Sequence, residues 1–145
     1  MSPKRPVDIL LVEDDEGDAY LTEAALRSGS VPFSLHTVTT GEEALDFIYR
    51  RGSHMRAVRP DLILLDLHLP GIHGQEVLHE LKQHATFRRI PVVVLTSSRA
   101  ESDILKSYNL HCNSYMVKPG DPSIFEQLAG TLQDWWFEST VLAPR

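Results

Sequence analysis

The chain has 145 residues, of which 42% are hydrophobic and 23% charged, and its formal net charge is −6 at pH 7. This length fits one ordinary globular domain, and the composition suggests neither a disordered protein nor a membrane protein. The negative charge argues against nonspecific binding to nucleic acid, because such binding depends on lysine and arginine side chains that neutralise phosphates.

The N-terminus, the apolar runs and the cysteine content all bear on the cellular compartment. The first six residues, MSPKRP, lack the apolar segment of a secretory signal. The longest apolar runs, such as LILL and VVVL, are too short to span a bilayer. Cys112 is the single cysteine, so no disulfide can form within the chain. We therefore expect a cytoplasmic protein that does not bind a membrane.

The N-terminal half of the sequence predicts two strands and two helices. Aliphatic residues are nearly continuous over Val7–Val12, as in a strand that is buried on both faces, and Asp15 would cap the helix that follows. The mixed segment Phe33–Val38 is typical of a strand at the edge of a sheet. Thr40 and Glu43 fit a capping box at the start of a second helix. The apolar face of that helix consists of Ala44, Leu45 and Ile48.

The C-terminal half continues this alternation of strands and helices. Aliphatic runs predict three further strands, at residues 61–66, 90–96 and 114–117. Ser98 and Glu101 fit a second capping box, and Asp121 before Pro122 fits an N-cap with proline at the first helical position. The apolar stripes of the helices in this half consist of Val77, Leu78 and Leu81, and of Ile124, Leu128, Leu132 and Trp135. Strand and helix thus alternate five times, which predicts an α/β fold with a doubly wound parallel sheet and helices on both faces.

Polar side chains follow the predicted strands at their carboxyl ends, where open α/β sheets bind ligands. In chain order these side chains are Glu13, Asp14, Asp66, Thr96 and Lys118. Two carboxylates about 4 Å apart repel by roughly 4 kcal/mol at an effective dielectric constant of about 20, so the acids predict a divalent cation. Oxygen ligands completed by water and a phosphate oxygen are what Mg²⁺ prefers. Thr96 and Lys118 are donors suited to an anion, which we expect to be a phosphoryl group.

Four short motifs carry these residues: LLVEDDE, PDLILLDLHLPGIHG, VVVLTSS and SYMVKPG. In them the sequence resembles the receiver domain of two-component response regulators. Glu13 and Asp14 match the acidic pair of that family, Asp66 its phosphoacceptor, Thr96 its hydroxyl residue and Lys118 its lysine. The resemblance covers about residues 7–137 and implies a five-stranded, flavodoxin-like sheet with the strand order 2-1-3-4-5.

The resemblance also implies the chemistry of the site. Asp66 would attack the phosphoryl group of a phosphohistidine on a sensor histidine kinase and form an aspartyl phosphate. Mg²⁺ would be the cofactor, with Asp14, Asp66 and the backbone carbonyl of His68 as ligands and with Glu13 acting mainly through water. The protein would not be an enzyme for other substrates, because it would catalyse only its own phosphorylation and dephosphorylation.

A phosphorylation switch is a further implication of the resemblance. Lys118 would pair with the phosphate, Thr96 would move towards it, and Tyr115 would turn inward into the vacated space. This movement would change the face formed by helix four, strand five and helix five. The resemblance also implies a cis peptide bond between Lys118 and Pro119.

Two segments, YNLHCNSYMVKP and LQDWWFESTVLAP, resemble more closely the small stand-alone receivers that partner bacterial phytochromes, which are red-light-sensing histidine kinases. We therefore expect one receiver domain over residues 1–145, with a core at about 7–137, a tail at 138–145 and no output domain. Output would occur through partner binding or transfer of the phosphoryl group to a downstream protein. Adjacent Trp135 and Trp136 are hard to bury against one sheet, so with the apolar tail they predict a homodimer. Its interface would be helix four, strand five and helix five, or an exchanged C-terminal arm.

Two departures from the family pattern concern histidines. His111 and Cys112 stand where most receivers have Gly and Ala, so we expect His111 in a turn conformation that Gly adopts more easily. His73 replaces a common Asp after the phosphorylation loop. A transition-metal site is not expected, because its candidate ligands are not spaced as helical ligand pairs. These candidates are His68, His73, His79 and His84.

Three alternative functions stay open from the residues themselves. A Mg²⁺-dependent phosphatase of the haloacid dehalogenase type also uses an aspartate nucleophile, but Asp66-Leu67-His68 lacks the second acid of its Asp-x-Asp motif. A flavodoxin-like protein would have to bind flavin phosphate near Glu13 and Asp14, which would repel it. A degenerate receiver would act only by docking or dimerisation, although every position of the site carries competent chemistry.

Overall fold

The computed structural model describes residues 6–29 and 32–118. The strands in this part of the chain are β1 (Val7–Val12), β2 (Phe33–Val38), β3 (Leu62–Leu65), β4 (Val92–Thr96) and β5 (Ser114–Val117). The α-helices are α1 (Glu16–Arg27), α2 (Gly41–Tyr49), α3 (Gly74–Gln83) and α4 (Glu101–Asn109). None of these helices is long and apolar enough to cross a membrane. The predicted fifth helix with Trp135 and Trp136, the tail and the Lys118–Pro119 bond lie outside the described residues.

The five strands form one parallel sheet in the order β2-β1-β3-β4-β5, which confirms the predicted flavodoxin-like fold. In the pairs of β1 with β2 and β3, Val12 lies opposite Val38 and Leu65. At the other side of the sheet, Thr96 at the end of β4 lies opposite Val117 of β5. The edge position predicted for β2 is confirmed. Because all the strands run in the same direction, their carboxyl ends lie along one rim of the sheet.

The core explains why the strand sequences do not alternate between apolar and polar residues. All four residues of β3 are 0% exposed. Ile63 and Leu65 pack in the cluster that contains the inner faces of α2 and α3, whereas Leu62 and Leu64 pack on the opposite face with Leu26 of α1. Each such side chain stabilises the fold by about 1.5–3 kcal/mol. The predicted inner-face residues of α2 and α3 are buried, namely Ala44, Leu45, Ile48, Val77, Leu78 and Leu81.

The start of α2 matches its predicted cap closely. The hydroxyl of Thr40 accepts a hydrogen bond from the amide of Glu43 at 3.0 Å, as the capping box requires. The carboxylate of Glu43 reaches back one residue further than predicted and accepts from the amide of Thr39 at 3.0 Å. Strand β4 is shorter than the predicted run at 90–96, because Pro91 has no amide hydrogen to donate to the ladder.

The capping box predicted at Ser98 and Glu101 is wrong. Helix α4 begins at Glu101, its N-cap is Ala100, and no side chain caps it. The hydroxyl of Ser98 instead accepts from the amide of Ala100 at 3.3 Å and donates to the carboxylate of Asp103 at 2.6 Å. Ser98 therefore stabilises the loop between β4 and α4 instead of closing the first turn of the helix.

The turn between α4 and β5 contains a left-handed residue that is not glycine. His111 has a φ of 69°, a region where its Cβ is sterically unfavourable. This confirms the expectation that His111 adopts a conformation better suited to Gly. Its amide donates to the carbonyl of Tyr108 at 2.9 Å, so the turn is held by the end of α4.

The replacement His111→Gly is expected to raise the free energy of unfolding by about 0.5–1 kcal/mol, because glycine adopts positive φ without the steric cost of a Cβ. Urea unfolding followed by circular dichroism measures this change. Asn109→Gly, at the end of α4, is the control and is expected to lower the free energy of unfolding, since its backbone is helical. A loss of stability in His111→Gly would contradict the expectation.

Candidate functional site

Four strand ends bring the predicted site residues together on one rim of the sheet. Glu13 follows β1, Asp66 follows β3, Thr96 ends β4 and Lys118 follows β5. Backbone hydrogen bonds continue the ladder past the strands, from the Asp66 amide to the carbonyl of Val12 at 3.0 Å and from the Lys118 amide to the carbonyl of Thr96 at 2.8 Å. These bonds hold the side chains in place, and Glu13, Asp66 and Thr96 are all buried.

Three carboxylates on this rim form a group that suits a metal ion. Glu13, Asp14 and Asp66 each present one oxygen, and these oxygens lie within 4.8 Å of one another. Asp14 is exposed, whereas Glu13 and Asp66 are only 2% and 7% exposed. Carboxylate oxygens are hard ligands that suit Mg²⁺, Ca²⁺ and Mn²⁺ better than softer metals. The donor set therefore fits a divalent cation of this class.

The loop after Asp66 packs tightly against the start of α3. The amide of His68 donates to Oδ1 of Asp66 at 3.3 Å, and the amide of Gly74 donates to the carbonyl of Leu67 at 2.9 Å. A Cβ on Gly74 would lie 2.2 Å from the carbonyl oxygen of Asp66, so a larger residue would displace the backbone. This packing fixes the segment that carries the carbonyl of His68, one of the three predicted metal ligands.

The histidines near this loop have local structural roles. The rings of His68 and His73 meet edge to face, with centroids 5.6 Å apart. Nδ1 of His73 accepts from the amide of Gln75 at 3.3 Å and caps α3. Nδ1 of His84 accepts from the amide of Thr86 at 3.1 Å. Within residues 6–29 and 32–118, the potential metal ligands that converge in a group of three are the acids of the rim.

The ammonium of Lys118 lies among the acids of the rim and contacts three carboxylates. Its Nζ donates to Glu13, to Oδ2 of Asp18 at 2.9 Å and to Oδ2 of Asp66 at 3.1 Å. Asp18 was not predicted as a site residue from the sequence. Its position in α1 could have indicated it. Asp15 caps α1 at the rim, and Asp18 is an acid in the first turn of the same helix.

Burial and neighbouring charges shift the pKa values of Glu13 and Asp66 in opposite directions. Burial raises the pKa of Glu13 to about 7, with the neighbouring Asp66 acting in the same direction and Lys118 against it. Burial alone would also raise the pKa of Asp66, but the hydrogen bond with Glu13 and the charge of Lys118 lower it. Burial disfavours the charge of Lys118, yet its hydrogen bonds with Asp18 and Glu13 raise its pKa. At neutral pH Asp66 is therefore ionised, whereas Glu13 is partly protonated.

The two predicted switch residues both bond to Ser98. Oγ1 of Thr96 accepts from the amide of Ser98 at 3.4 Å, and the hydroxyl of Tyr115 donates to the carbonyl of Ser98 at 3.1 Å. Tyr115 is half-buried and packs against the core cluster on the side of α2 and α3. The hydroxyl of Ser98 is bonded in turn to Asp103 of α4. This loop thus connects the rim with α4 and β5.

Comparisons with known proteins agree with this geometry. The profile of the response regulator receiver domain matches residues 9–129. Response regulator Rcp1 of Synechocystis sp. is 40% identical over 138 residues, which cover 94% of this chain and 93% of Rcp1.

Two solved structures are similar over nearly the whole chain. The phosphorylated cyanobacterial phytochrome response regulator RcpA superposes with a TM-score of 0.93 at 41% identity, covering 97% of this chain and 100% of RcpA. The Mn²⁺-bound form of response regulator Rcp1 superposes with a TM-score of 0.91 at 38% identity, covering 96% of this chain and 100% of Rcp1. The similarity therefore includes both the sheet and the rim.

The replacement Glu13→Gln is expected to stabilise the metal-free protein at pH 8 by about 1–3 kcal/mol more than at pH 4.5. The folded-state pKa of Glu13, about 7, lies above its ordinary value of 4.5. The stability that the neutral carboxyl contributes is therefore fully present below pH 4.5 and is lost as the pH rises through 7. Glutamine stays neutral throughout.

Urea unfolding with a chelator at several pH values between 4.5 and 8 measures this difference. Glu16→Gln, an exposed acid at the start of α1, is the control and is expected to show little dependence on pH. A pH-independent effect of Glu13→Gln would show that folding does not raise the pKa of Glu13.

Proposed function

Because this chain belongs to the family of response regulator receiver domains, we propose that Asp66 is the residue that accepts a phosphoryl group from a sensor histidine kinase. The observation that carries this proposal is the ammonium of Lys118, 3.1 Å from Asp66 on a rim with two further acids, Glu13 and Asp14. The lowered pKa of Asp66 keeps it ionised and therefore nucleophilic at neutral pH.

The transfer exchanges one bond to phosphorus for another. A carboxylate oxygen of Asp66 attacks the phosphorus of the phosphohistidine, and the phosphorus–nitrogen bond breaks. Its electron pair stays on the imidazole, which takes a proton from solvent. Lys118 and the hydroxyl of Thr96 would donate hydrogen bonds to the phosphoryl oxygens. The chain then carries an aspartyl phosphate that it can hydrolyse, and it needs no other enzymatic activity.

Mg²⁺ is the ion that we propose for the acidic group. Its ligands would be Asp14, Asp66 and the carbonyl of His68, and it would neutralise charge on the transferring group. Glu13 is bonded by Lys118 and by the amide of Asp15 at 3.3 Å, which suits a role through water. The similar protein Rcp1 has been solved in a Mn²⁺-bound form, and Mn²⁺ also suits carboxylate and carbonyl ligands.

The phosphoryl group would switch the loop between β4 and α4. When Thr96 moves towards the phosphate, the bond that it accepts from the amide of Ser98 must change. The carbonyl of Ser98 holds the hydroxyl of Tyr115, so the same movement alters the position of Tyr115 at the surface of α4 and β5. The change in charge on Asp66 is thereby transmitted to a surface that a partner can recognise.

The kinase that we propose is a bacterial phytochrome in the cytoplasm. Support comes from RcpA, which is named as a cyanobacterial phytochrome response regulator and shares 41% identity with this chain. Output would follow through partner binding or through onward transfer to a phosphotransfer protein. The phosphatase and the docking-only receiver are not favoured, because the match to the receiver family spans residues 9–129 and the rim carries all five chemically competent residues.

We also propose that the chain forms a homodimer through the face of α4 and β5. Leu105 and Tyr108 lie three residues apart on α4 and are 61% and 48% exposed. Side chains at this spacing share one face of a helix, and exposed apolar residues of this kind are common at interfaces.

Sedimentation of the intact protein and of a variant ending at Glu138 is expected to give a dimer that the truncation or Leu105→Ser weakens by at least about tenfold. The truncation tests the contribution of the C-terminal arm and Leu105→Ser that of α4. Tyr20→Ser, which alters an exposed residue of α1, is the control and should leave the dimer intact. A monomer at every concentration would contradict the proposal.

Phosphorylation of Asp66 is tested by intact mass after incubation with Mg²⁺ and acetyl phosphate. The wild type is expected to gain one phosphoryl group, and Asp66→Asn or a chelator is expected to abolish the gain, because either removes an essential component. Asp46→Asn is the control, since its carboxylate pairs with Arg51 and lies outside the acidic group. If the wild type gains no mass with acetyl phosphate or with histidine kinases as donors, the acids bind metal without phosphotransfer.

A further inference from the structure

Asp18 is an acid of the rim that the proposed phosphotransfer does not use. Its Oδ2 lies 2.9 Å from Nζ of Lys118, and it is not among the three acids that converge as metal ligands. Its side chain is 37% exposed, whereas that of Lys118 is only 7% exposed. The contact joins the first helix to the end of the last described strand.

The contact with Asp18 completes the hydrogen bonds of the Lys118 ammonium. An ammonium has three N–H donors and no acceptor. Lys118 donates to Glu13, Asp18 and Asp66, so each donor has its own carboxylate. The side chain is almost fully buried, and solvent therefore has little access to replace a lost partner.

The proposed reaction changes two of these three bonds. Glu13 and Asp66 belong to the acidic group that would hold the metal, so the cation competes with Lys118 for their oxygens. A phosphoryl group on Asp66 would also take the donor that now points to Oδ2 of Asp66. Asp18 is the partner whose bond to Lys118 neither event removes.

The position of Asp18 is well fixed by the start of α1. Its amide donates to Oδ1 of Asp15, the N-cap, at 2.8 Å, and its carbonyl accepts from the hydroxyl of Thr22 at 2.9 Å. Thr22 is itself buried, so this turn of α1 is held at both ends. The carboxylate remains partly in water, which keeps its charge solvated while the charges around Lys118 change.

We propose that Asp18 is a positioning residue that anchors the ammonium of Lys118 while metal and phosphoryl group engage the other acids. This proposal rests on the proposed function and extends it. Without Asp18, the ammonium would rest on Glu13 and Asp66 alone, where it competes with the metal. It would also lack a fixed position from which to donate to the phosphoryl group.

The test compares Asp18→Ala with Glu16→Ala, which removes the same charge from the same turn of α1. Phosphorylation is followed by intact mass at saturating Mg²⁺ over a range of acetyl phosphate concentrations. We expect Asp18→Ala to lower the limiting rate constant about tenfold with little change in the half-saturating donor concentration. Glu16→Ala should stay within about twofold of the wild type in both values. A mere charge effect would instead change the half-saturating concentration of the anionic donor in both variants.

A double-mutant cycle with Lys118→Met tests whether Asp18 acts through Lys118. Mg²⁺ affinity, measured by calorimetry, should fall by about threefold or more in Asp18→Ala because the freed ammonium competes for the acids. In the Lys118→Met background Asp18→Ala should have no greater effect on this affinity than Glu16→Ala has. Urea unfolding checks that each variant is folded, and Asp18→Asn replaces Asp18→Ala if the alanine variant is unfolded.

The outcomes separate this proposal from the proposed function. The proposed role of Asp18 is contradicted if Asp18→Ala and Glu16→Ala have equal effects on the rate constant and on the Mg²⁺ affinity. It is also contradicted if Asp18→Ala lowers the Mg²⁺ affinity by the same factor in the Lys118→Met background. If the wild type itself gains no phosphoryl group, the proposed function fails. The Mg²⁺ affinities then still decide whether Asp18 anchors Lys118.

Discussion

The excess of negative charge around Lys118 is the constraint on which the rest of this structure depends. One buried ammonium faces the carboxylates of Glu13, Asp18 and Asp66, with Asp14 close by. A single positive charge cannot balance four acids, so burial leaves Glu13 partly protonated at neutral pH, and the acidic group suits a further cation. The negative charge that the fold leaves unbalanced therefore favours the binding of a divalent cation at this rim.

The fold tolerates the repulsion between these acids because its stability comes from the apolar core of the sheet. Strands β1, β3 and β4 are buried on both faces and contribute nearly half of the buried hydrophobic residues in the described part of the chain. The acids, the hydroxyl and the lysine lie at or directly after the carboxyl ends of the strands, where open α/β sheets bind ligands. Gly74 shows how little freedom the rim has, because α3 begins against the backbone of Asp66 itself. The fold therefore combines a stable apolar core with an electrostatically unfavourable rim.

Much of the fold and the site could be predicted from the sequence because the signals are local. Continuous aliphatic runs indicate strands buried on both faces, and a parallel sheet necessarily brings Glu13, Asp66 and Lys118 to one rim. The bond between Asp18 and Lys118 joins residues 100 positions apart, so the pattern at the start of α1 does not identify Lys118 as the partner. Asp15 already explained the acids at the start of α1, so Asp18 attracted no separate interpretation.

The incorrect prediction of a capping box at Ser98 shows where local sequence patterns mislead. Ser98 and Glu101 have the spacing of a capping box, but a nearby carboxylate, Asp103, is a stronger partner for the hydroxyl than a helix amide. The left-handed His111, by contrast, was predictable because the family pattern places glycine there, and the chain must turn at the same point whatever residue it carries. Backbone geometry was therefore easier to predict than the choice between competing hydrogen-bond partners.

In the proposed switch, the loop at Ser98 would transmit a charge change on Asp66 to the surface. The amide of Ser98 donates to Thr96 at 3.4 Å, and the carbonyl of Ser98 accepts from Tyr115 at 3.1 Å. A neutral hydrogen bond of this kind contributes about 0.5–1.5 kcal/mol. A phosphoryl group brings roughly −1.5 to −2 charges to the buried end of β3. Its attraction for a nearby hydroxyl is charge-assisted and roughly twice as strong as the neutral bond that Thr96 accepts. The loop is therefore held firmly enough to define one resting arrangement and weakly enough for the new charge to replace it.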